Sequence, residues 1–246
     1  MSENFIDGEV ARWAAPSNIK ALTTFRSGGV SGDVFDSLNL ATHVGDDPAA
    51  VIENRVRLGT QLNLPSEPIW LRQVHGSQVV KAEPKSRNSM ADGSYTADRG
   101  VVCALLTADC IPLFLTDRIG SIVCLLHVGW RGLLAGVIER GLAAVKVEPK
   151  DLLAWIGPGI GRDAFLVGDD VWEKLTEQCA IHRHSFERFN DRWLADLGQM
   201  VEQRLGLAGV KEIERSKNCT WTNSAAWFSH RRDGSCGRMA SLIWIN

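Results

Sequence analysis

Three short apolar runs occupy the middle of the chain, at residues 101–106, 111–116 and 121–126. Runs this brief, nearly continuous and rich in β-branched side chains predict buried strands rather than helices. Two further strands are expected at 153–156 and 165–167, flanking Gly157-Pro158-Gly159-Ile160-Gly161, and a last one at 240–245. Helical spacing appears elsewhere. Asp47 reads as an N-cap with Pro48 at the first helical position. Val51, Arg55, Leu58 and Leu62 follow on one face, widened by Ile52 and Val56. After Gly129-Trp130-Arg131-Gly132, the residues Leu133, Leu134, Val137, Ile138, Leu142 and Val145 predict an amphipathic helix. Asp169-Asp170 can cap a helix through Gln178, and Leu194, Leu197, Val201 and Leu205 mark another. Residues 69–74 and 78–81 are short β-prone stretches, and the polar, turn-rich 86–96 reads as a loop. Strands and helices intermingle without strict alternation, which favours a mixed α+β layered fold over a doubly wound sheet.

Composition narrows the picture. The chain has 246 residues, 45% apolar and 23% charged, with a net charge of −2. That suits a globular protein and gives no electrostatic argument for nucleic acid or an anionic membrane. No uncharged apolar run reaches the length of a membrane span. The acidic start, Met1 to Asp7, lacks the basic and apolar regions of a signal peptide. A cytoplasmic protein is expected, and the six cysteines, none in a CxxC pair, are expected to be free thiols.

Two of the six histidines stand at strand ends in glycine-flanked settings, in Gln73-Val74-His75-Gly76 and in His127-Val128-Gly129. Cys110 holds a similar place in Thr107-Ala108-Asp109-Cys110. If the three converge, two imidazoles and a thiolate suit zinc, with a fourth position open to water or substrate. Their gaps of 35 and 17 residues match no local finger pattern. The same residues also read as a Cys110–His127 nucleophile pair, or as two hydrogen-bonded histidines and a buried thiol. Arg26 beside Gly28-Gly29 combines a cation with backbone able to form an anion nest. Gly157 to Gly161 reads as a tight turn. Arg231-Arg232-Asp233-Gly234 reads as a charged hairpin turn, or as an arginine site for phosphate or carboxylate. Arg131 either caps a helix end or reaches into a site. His182-Arg183-His184 is expected on the surface.

Ordered motifs run almost end to end. They are Arg26-Ser27-Gly28-Gly29-Val30-Ser31, Ser37-Leu38-Asn39-Leu40, His43-Val44-Gly45-Asp46-Asp47-Pro48, Asn54-Arg55, the three stretches around His75, Cys110 and His127, Gly157-Pro158, and Arg231 to Gly234 with Gly237-Arg238. In these the chain resembles the YfiH-type laccase-domain family, also called multicopper polyphenol oxidase-like proteins. Val128, Phe25 and His230 depart from the family's commoner Ala, Thr and Tyr. The resemblance implies one domain over residues 1–246, folded as a four-layer α/β/β/α sandwich similar to cysteine hydrolase and deamidase folds. It implies zinc ligands at His75, Cys110 and His127. It also implies purine nucleoside phosphorylase activity on adenosine, inosine, guanosine and methylthioadenosine, with adenosine deamination. On that reading Cys110, His127 and Asp109 are catalytic, Asp109 as a proton carrier or as support for Cys110. Arg26, Arg55 and Arg131 contact phosphate or ribose, and Asn39 contacts base or sugar. The partners are purine nucleosides and phosphate, with no nucleic acid or membrane, and the chain is a monomer or small homo-oligomer. Copper is disfavoured, because six histidines cannot furnish a multicopper site set. Two other readings follow the same residues: a Cys–His hydrolase of misincorporated cell-wall precursors, and a non-catalytic protein whose structural zinc takes Cys219 or Cys236 as a fourth ligand.

Overall fold

The computed structural model describes residues 6–246, so most of the acidic start lies outside the described residues. Two sheets form the centre. The first is antiparallel throughout and joins β1 (Gly8–Val10), β2 (Ile19–Thr24), β13 (Met239–Ile245) and β5 (Cys103–Thr107) in that spatial order. The second is mixed, in the order β12 (Glu212–Arg215), β8 (Leu152–Ile156), β6 (Ile111–Asp117), β7 (Val123–Val128), β4 (Gly93–Thr96) and β3 (Val79–Lys81). Its outer pairs β12/β8 and β3/β4 are parallel and its inner pairs antiparallel. A third sheet joins β10 (Phe186–Phe189), β11 (Arg192–Ala195) and β9 (Leu166–Val167).

Alternation along the strands builds the layers. In β5, Cys103 and Leu105 join a cluster with Phe114, Val123, Leu125 and Trp155 of the second sheet, whereas Ala104 and Leu106 belong to another with Leu58 of α1 (Pro48–Gln61). In β6 and β7, Leu113, Leu115, Cys124 and Leu126 face the opposite way. They pack with Val137 and Ile138 of α3 (Val137–Val145) and with Met200 and Val201 of α5 (Leu197–Ala208). Because side chains alternate with period two, each sheet buries both faces. The order is therefore α1, first sheet, second sheet, then the α3 and α5 layer. This is the expected four-layer α/β/β/α arrangement. Full burial on both faces explains why the central strands read as continuous apolar runs.

Several local expectations are corrected. Asp47 does cap α1, accepting from the Ala49 amide at 2.9 Å. The buried stripe of that helix, however, is Val51, Asn54 and Leu58, while Ile52 and Val56 point to solvent. The helix after Gly129 is two helices, α2 (Trp130–Ala135) and α3, broken at Gly136, whose φ of 83° is open to glycine. The stretch 86–96 ends in β4, held against β7. Asp169 and Asp170 lie in the first turn of α4 (Asp169–Gln178), with Gly168 at the N-cap, so they act on the helix dipole and do not cap. Leu194 belongs to β11 and not to the helix that follows. Residues 230–233 form a single helical turn, α6 (His230–Asp233), capped by Ser229, where a hairpin was expected. His182 is fully buried, its Nδ1 2.8 Å from Gln203 Oε1, because the 3-10 turn over Ala180–Ser185 folds it inward.

Candidate metal centre

The topology explains how widely spaced residues meet. β6 and β7 are antiparallel with Pro112 opposite His127, so Cys110, just before β6, lies beside Gly129, just after β7. A Cβ on Gly129 would stand 2.9 Å from Cys110 Sγ and 3.3 Å from His75 Cδ2, so only glycine admits both side chains. The His75 loop is tied to the same end of the sheet by Asp92, which immediately precedes β4. The Asp92 carboxylate accepts from three successive amides, Val74 at 3.2 Å, His75 at 2.9 Å and Gly76 at 2.7 Å. It also lies 2.9 Å from His127 Nδ1, and its carbonyl accepts from the His127 amide at 2.7 Å. These bonds hold His75 at a φ of 57°, in the left-handed region. Asp92 is fully buried, and the sequence reading passed it over. Its signal was faint: a lone Asp before a glycine in a stretch read as loop.

The donor atoms of His75, Cys110 and His127 lie within 4.8 Å of one another. The two imidazole rings are 4.8 Å apart and 74° from coplanar. Burial pushes the Cys110 thiol up, but the charge and hydrogen bond of His127, together with His75, outweigh it and bring it down to about 6. Burial likewise opposes charge on His127, yet Cys110 and Asp92 raise it to about 9. The pair therefore rests as thiolate and imidazolium at neutral pH. Cys103, buried between the sheets with no cation beside it, is pushed up to about 12. Asp92 engages Nδ1 of His127 and so leaves Nε2 to ligate, the carboxylate–histidine arrangement common at metal sites. Two imidazoles and a thiolate fit one ion with a fourth position open. Among the described residues this is the one such group, and Cys219 and Cys236 are not part of it. Their sulfurs accept instead from the Gly161 amide and from Arg238.

A cavity of about 400 Å³ opens on the three donors, lined also by Asp109, Arg131, His43, Trp130, Phe165, His230, Arg231 and Arg238. Of the other residues singled out from sequence, Asp109 and Arg131 reach it. Asp109 has both oxygens engaged, by the Thr220 hydroxyl at 2.6 Å and the Arg231 amide at 2.7 Å. It holds α6 against the site. Arg26, Asn39 and Arg55, expected as substrate contacts, do not line this cavity. Arg26 donates to the carbonyls of Asp36 and Ser224 and lies over Phe228. Arg55 donates twice to the Leu40 carbonyl and lies over Trp70. Asn39 is fully buried, bonded to Ala41, Asp46 and the Arg238 amide. Arg231, from the stretch read as a hairpin turn or an arginine site for phosphate or carboxylate, also lines the cavity, whereas Arg238 and His43, quoted only within longer motifs, were not singled out as site residues.

Fold and site define a layered α/β protein with a three-donor His–Cys–His centre at a sheet end. Residues 20–246 match the family described as multi-copper polyphenol oxidoreductase laccase, and the chain belongs to it. It is 45% identical over 238 residues to a protein of Escherichia coli named purine nucleoside phosphorylase YfiH, covering 96% of this chain and 98% of that one. It is 45% identical to a purine nucleoside phosphorylase of Pseudomonas aeruginosa, covering 95% and 96%. The crystal structure of a Neisseria meningitidis protein, 42% identical, superposes with a TM-score of 0.93 over 97% of this chain and 99% of that one. The family's description speaks of several coppers, whereas the one three-donor group among the described residues fits a single ion. No helix among the described residues is long and apolar enough to cross a membrane.

Proposed function

We propose that this chain, as one domain over residues 1–246, is a cytoplasmic zinc-dependent purine nucleoside phosphorylase that also deaminates adenosine. Its substrates are adenosine, inosine, guanosine and methylthioadenosine, with phosphate, and it works as a monomer or small homo-oligomer. The observation that carries this reading is the His75–Cys110–His127 group facing a nucleoside-sized cavity in a chain that aligns nearly end to end with relatives named purine nucleoside phosphorylases. His75, Cys110 and His127 would hold the zinc, which when bound would supply Lewis acidity and activate water for deamination at a purine carbon. Asp92 keeps His127 turned with Nε2 inward and keeps the His75 loop closed on it. Trp130 and Phe165 give the base an apolar wall, and the cavity's arginines hold the anionic co-substrate. Zinc-loaded protein given adenosine tests the reading by product analysis. Adenine and ribose 1-phosphate form in step, fall away without phosphate, and leave inosine formation intact. Adenine with free ribose at the same rate without phosphate contradicts phosphorolysis.

One observation favours a second reading. Cys110, His127 and Asp92 also line up as thiolate, imidazolium and orienting carboxylate, the layout of a cysteine hydrolase. Under that reading a substrate-derived adduct appears on Cys110 by mass spectrometry, and Cys110→Ser is dead while still metal-loaded.

A further inference from the structure

The cavity is strongly unbalanced in charge. Three arginines, Arg131, Arg231 and Arg238, line it with four histidines. Its one lining carboxylate, Asp109, has both oxygens already engaged. An interior of that composition selects an anion.

The arginines are not equivalent. Arg131 is exposed and lies over the Trp130 ring at 4.4 Å. Arg231 is exposed, gives Nη1 to the Leu166 carbonyl at 2.7 Å and lies over Phe165. Solvent weakens the pull of both. Arg238 is half-buried, and no carboxylate among the described residues pairs with it. Its protein acceptors all sit on Nη1: the carbonyls of Cys236 at 2.7 Å and Gly237 at 3.0 Å, and Cys236 Sγ at 3.4 Å. Those bonds fix the plane of the guanidinium and leave its Nε–Nη2 edge without a protein acceptor among the described residues. That edge is one that grips two oxygens of an oxyanion side by side.

The surroundings add charge of the same sign. Arg55 is half-buried and makes no direct ion pair among the described residues, though the Glu67 charge acts on it; its Nε and Nη2 both point at the Leu40 carbonyl, so it contributes field and not contact. His43, on the cavity wall, is held below its ordinary range by burial and then by the charges of Arg238 and Arg55. Glu67 lies close enough to offset part of the Arg55 charge, whereas Arg238 makes no ion pair with a carboxylate among the described residues, so an anion at its open edge is favoured.

We propose that the Nε–Nη2 edge of Arg238, with His43 beside it and the Arg55 charge nearby, is the oxyanion subsite of this cavity and takes inorganic phosphate. This assignment rests on the phosphorylase reading for its role in turnover, but not for binding.

The test titrates inorganic phosphate into zinc-loaded protein by calorimetry and measures the phosphate KM with adenosine. Arg238→Gln weakens phosphate binding by about 10- to 100-fold, the loss expected for a charge-assisted pair. Arg238→Lys recovers part of it, since a point charge keeps the attraction and loses the fork. His43→Gln has a smaller effect in the same direction. The phosphate KM rises by a larger factor than the adenosine KM. Arg238 also secures the loop carbonyls of residues 236–237, so thermal melting and metal content accompany each variant. If Arg238→Gln does not fold, Arg238→Lys and His43→Gln decide. Wild-type phosphate affinity in the folded Arg238 and His43 variants, or no phosphate binding to the wild type, overturns the subsite. Ribose 1-phosphate made with an unmoved phosphate KM sinks the subsite and keeps the phosphorylase. Phosphate bound through Arg238 without any phosphorolysis keeps the subsite and sinks the phosphorylase.

Discussion

Two buried polar clusters in this molecule look alike in sequence and differ in how their hydrogen-bonding groups are used. Around Asn54, every polar atom finds a partner inside the protein. Its Oδ1 accepts from Val30, and its Nδ2 donates to the Ser31 hydroxyl and to the carbonyls of Ser37 and Asn39. Asn39 continues the network to Ala41, Asp46 and Arg238. Around Asp92, the outer layer is equally complete, but the His75, Cys110 and His127 donor atoms face one another with no protein group between them and a cavity in front. A satisfied network fixes a loop, and its members have nothing left for a ligand. Converging donors whose inward atoms meet only one another mark the place where a ligand replaces those mutual contacts.

The largest expected effects separate the two clusters outright. His127→Ala, or His75→Ala with Cys110→Ala, loses bound metal by elemental analysis and loses both phosphorolysis and deamination together, while the fold persists. Full metal occupancy in the double variant would detach the site from these residues. Asn54→Ala does the reverse. It strands several fully buried partners and lowers unfolding stability by about 3 kcal/mol, while the metal content per folded chain stays at the wild-type ratio. A denaturant melt with metal analysis reads both quantities.

Asp92→Asn sharpens the contrast from the outer layer. The amide cannot accept from three backbone N–H groups and His127 with the same charge, and metal affinity falls by about 10- to 100-fold in chelator competition. An unchanged affinity would mean that the backbone of the His75 loop orders the site unaided. A protonation experiment follows in size. In metal-free protein the Cys110 thiol, lying near 6, is a thiolate at neutral pH, and its ultraviolet absorbance disappears as the pH falls through about 6. His127, lying near 9, still carries its extra proton. Metal uptake at pH 7 therefore releases about one proton per ion, and thiolate absorbance already present before the metal is added assigns that proton to the imidazolium. Release of about two would place the proton on Cys110 beforehand. The smallest effect belongs to Arg26→Ala. It removes two bonds to carbonyls and a contact over Phe228, costs about 1 kcal/mol of stability, and leaves the phosphate KM alone.

The same contrast explains what the sequence made legible. The strands of the central sheets show as apolar runs because they are buried on both faces, and His75, Cys110 and His127 show because each follows or precedes such a run beside glycine. Asp92 did not show, since its role comes from the pairing of β4 with β7, which joins residues 35 positions apart. Arg26 and Arg55 looked like ligand contacts because a cation beside glycine reads the same whether its donors meet a phosphate or a carbonyl. Arg238 was hidden because its place beside the cavity depends on β13 pairing with β5, more than a hundred residues away in the chain.

The central claim, that three side chains from three strand ends ligate one ion, is tested most directly by X-ray absorption at the metal edge of the purified protein. The account predicts zinc at about one per chain, with a first shell of one sulfur and two imidazole nitrogens and one lighter atom in the open position. A first shell without sulfur, or a protein that stays metal-free when zinc is supplied, would contradict it.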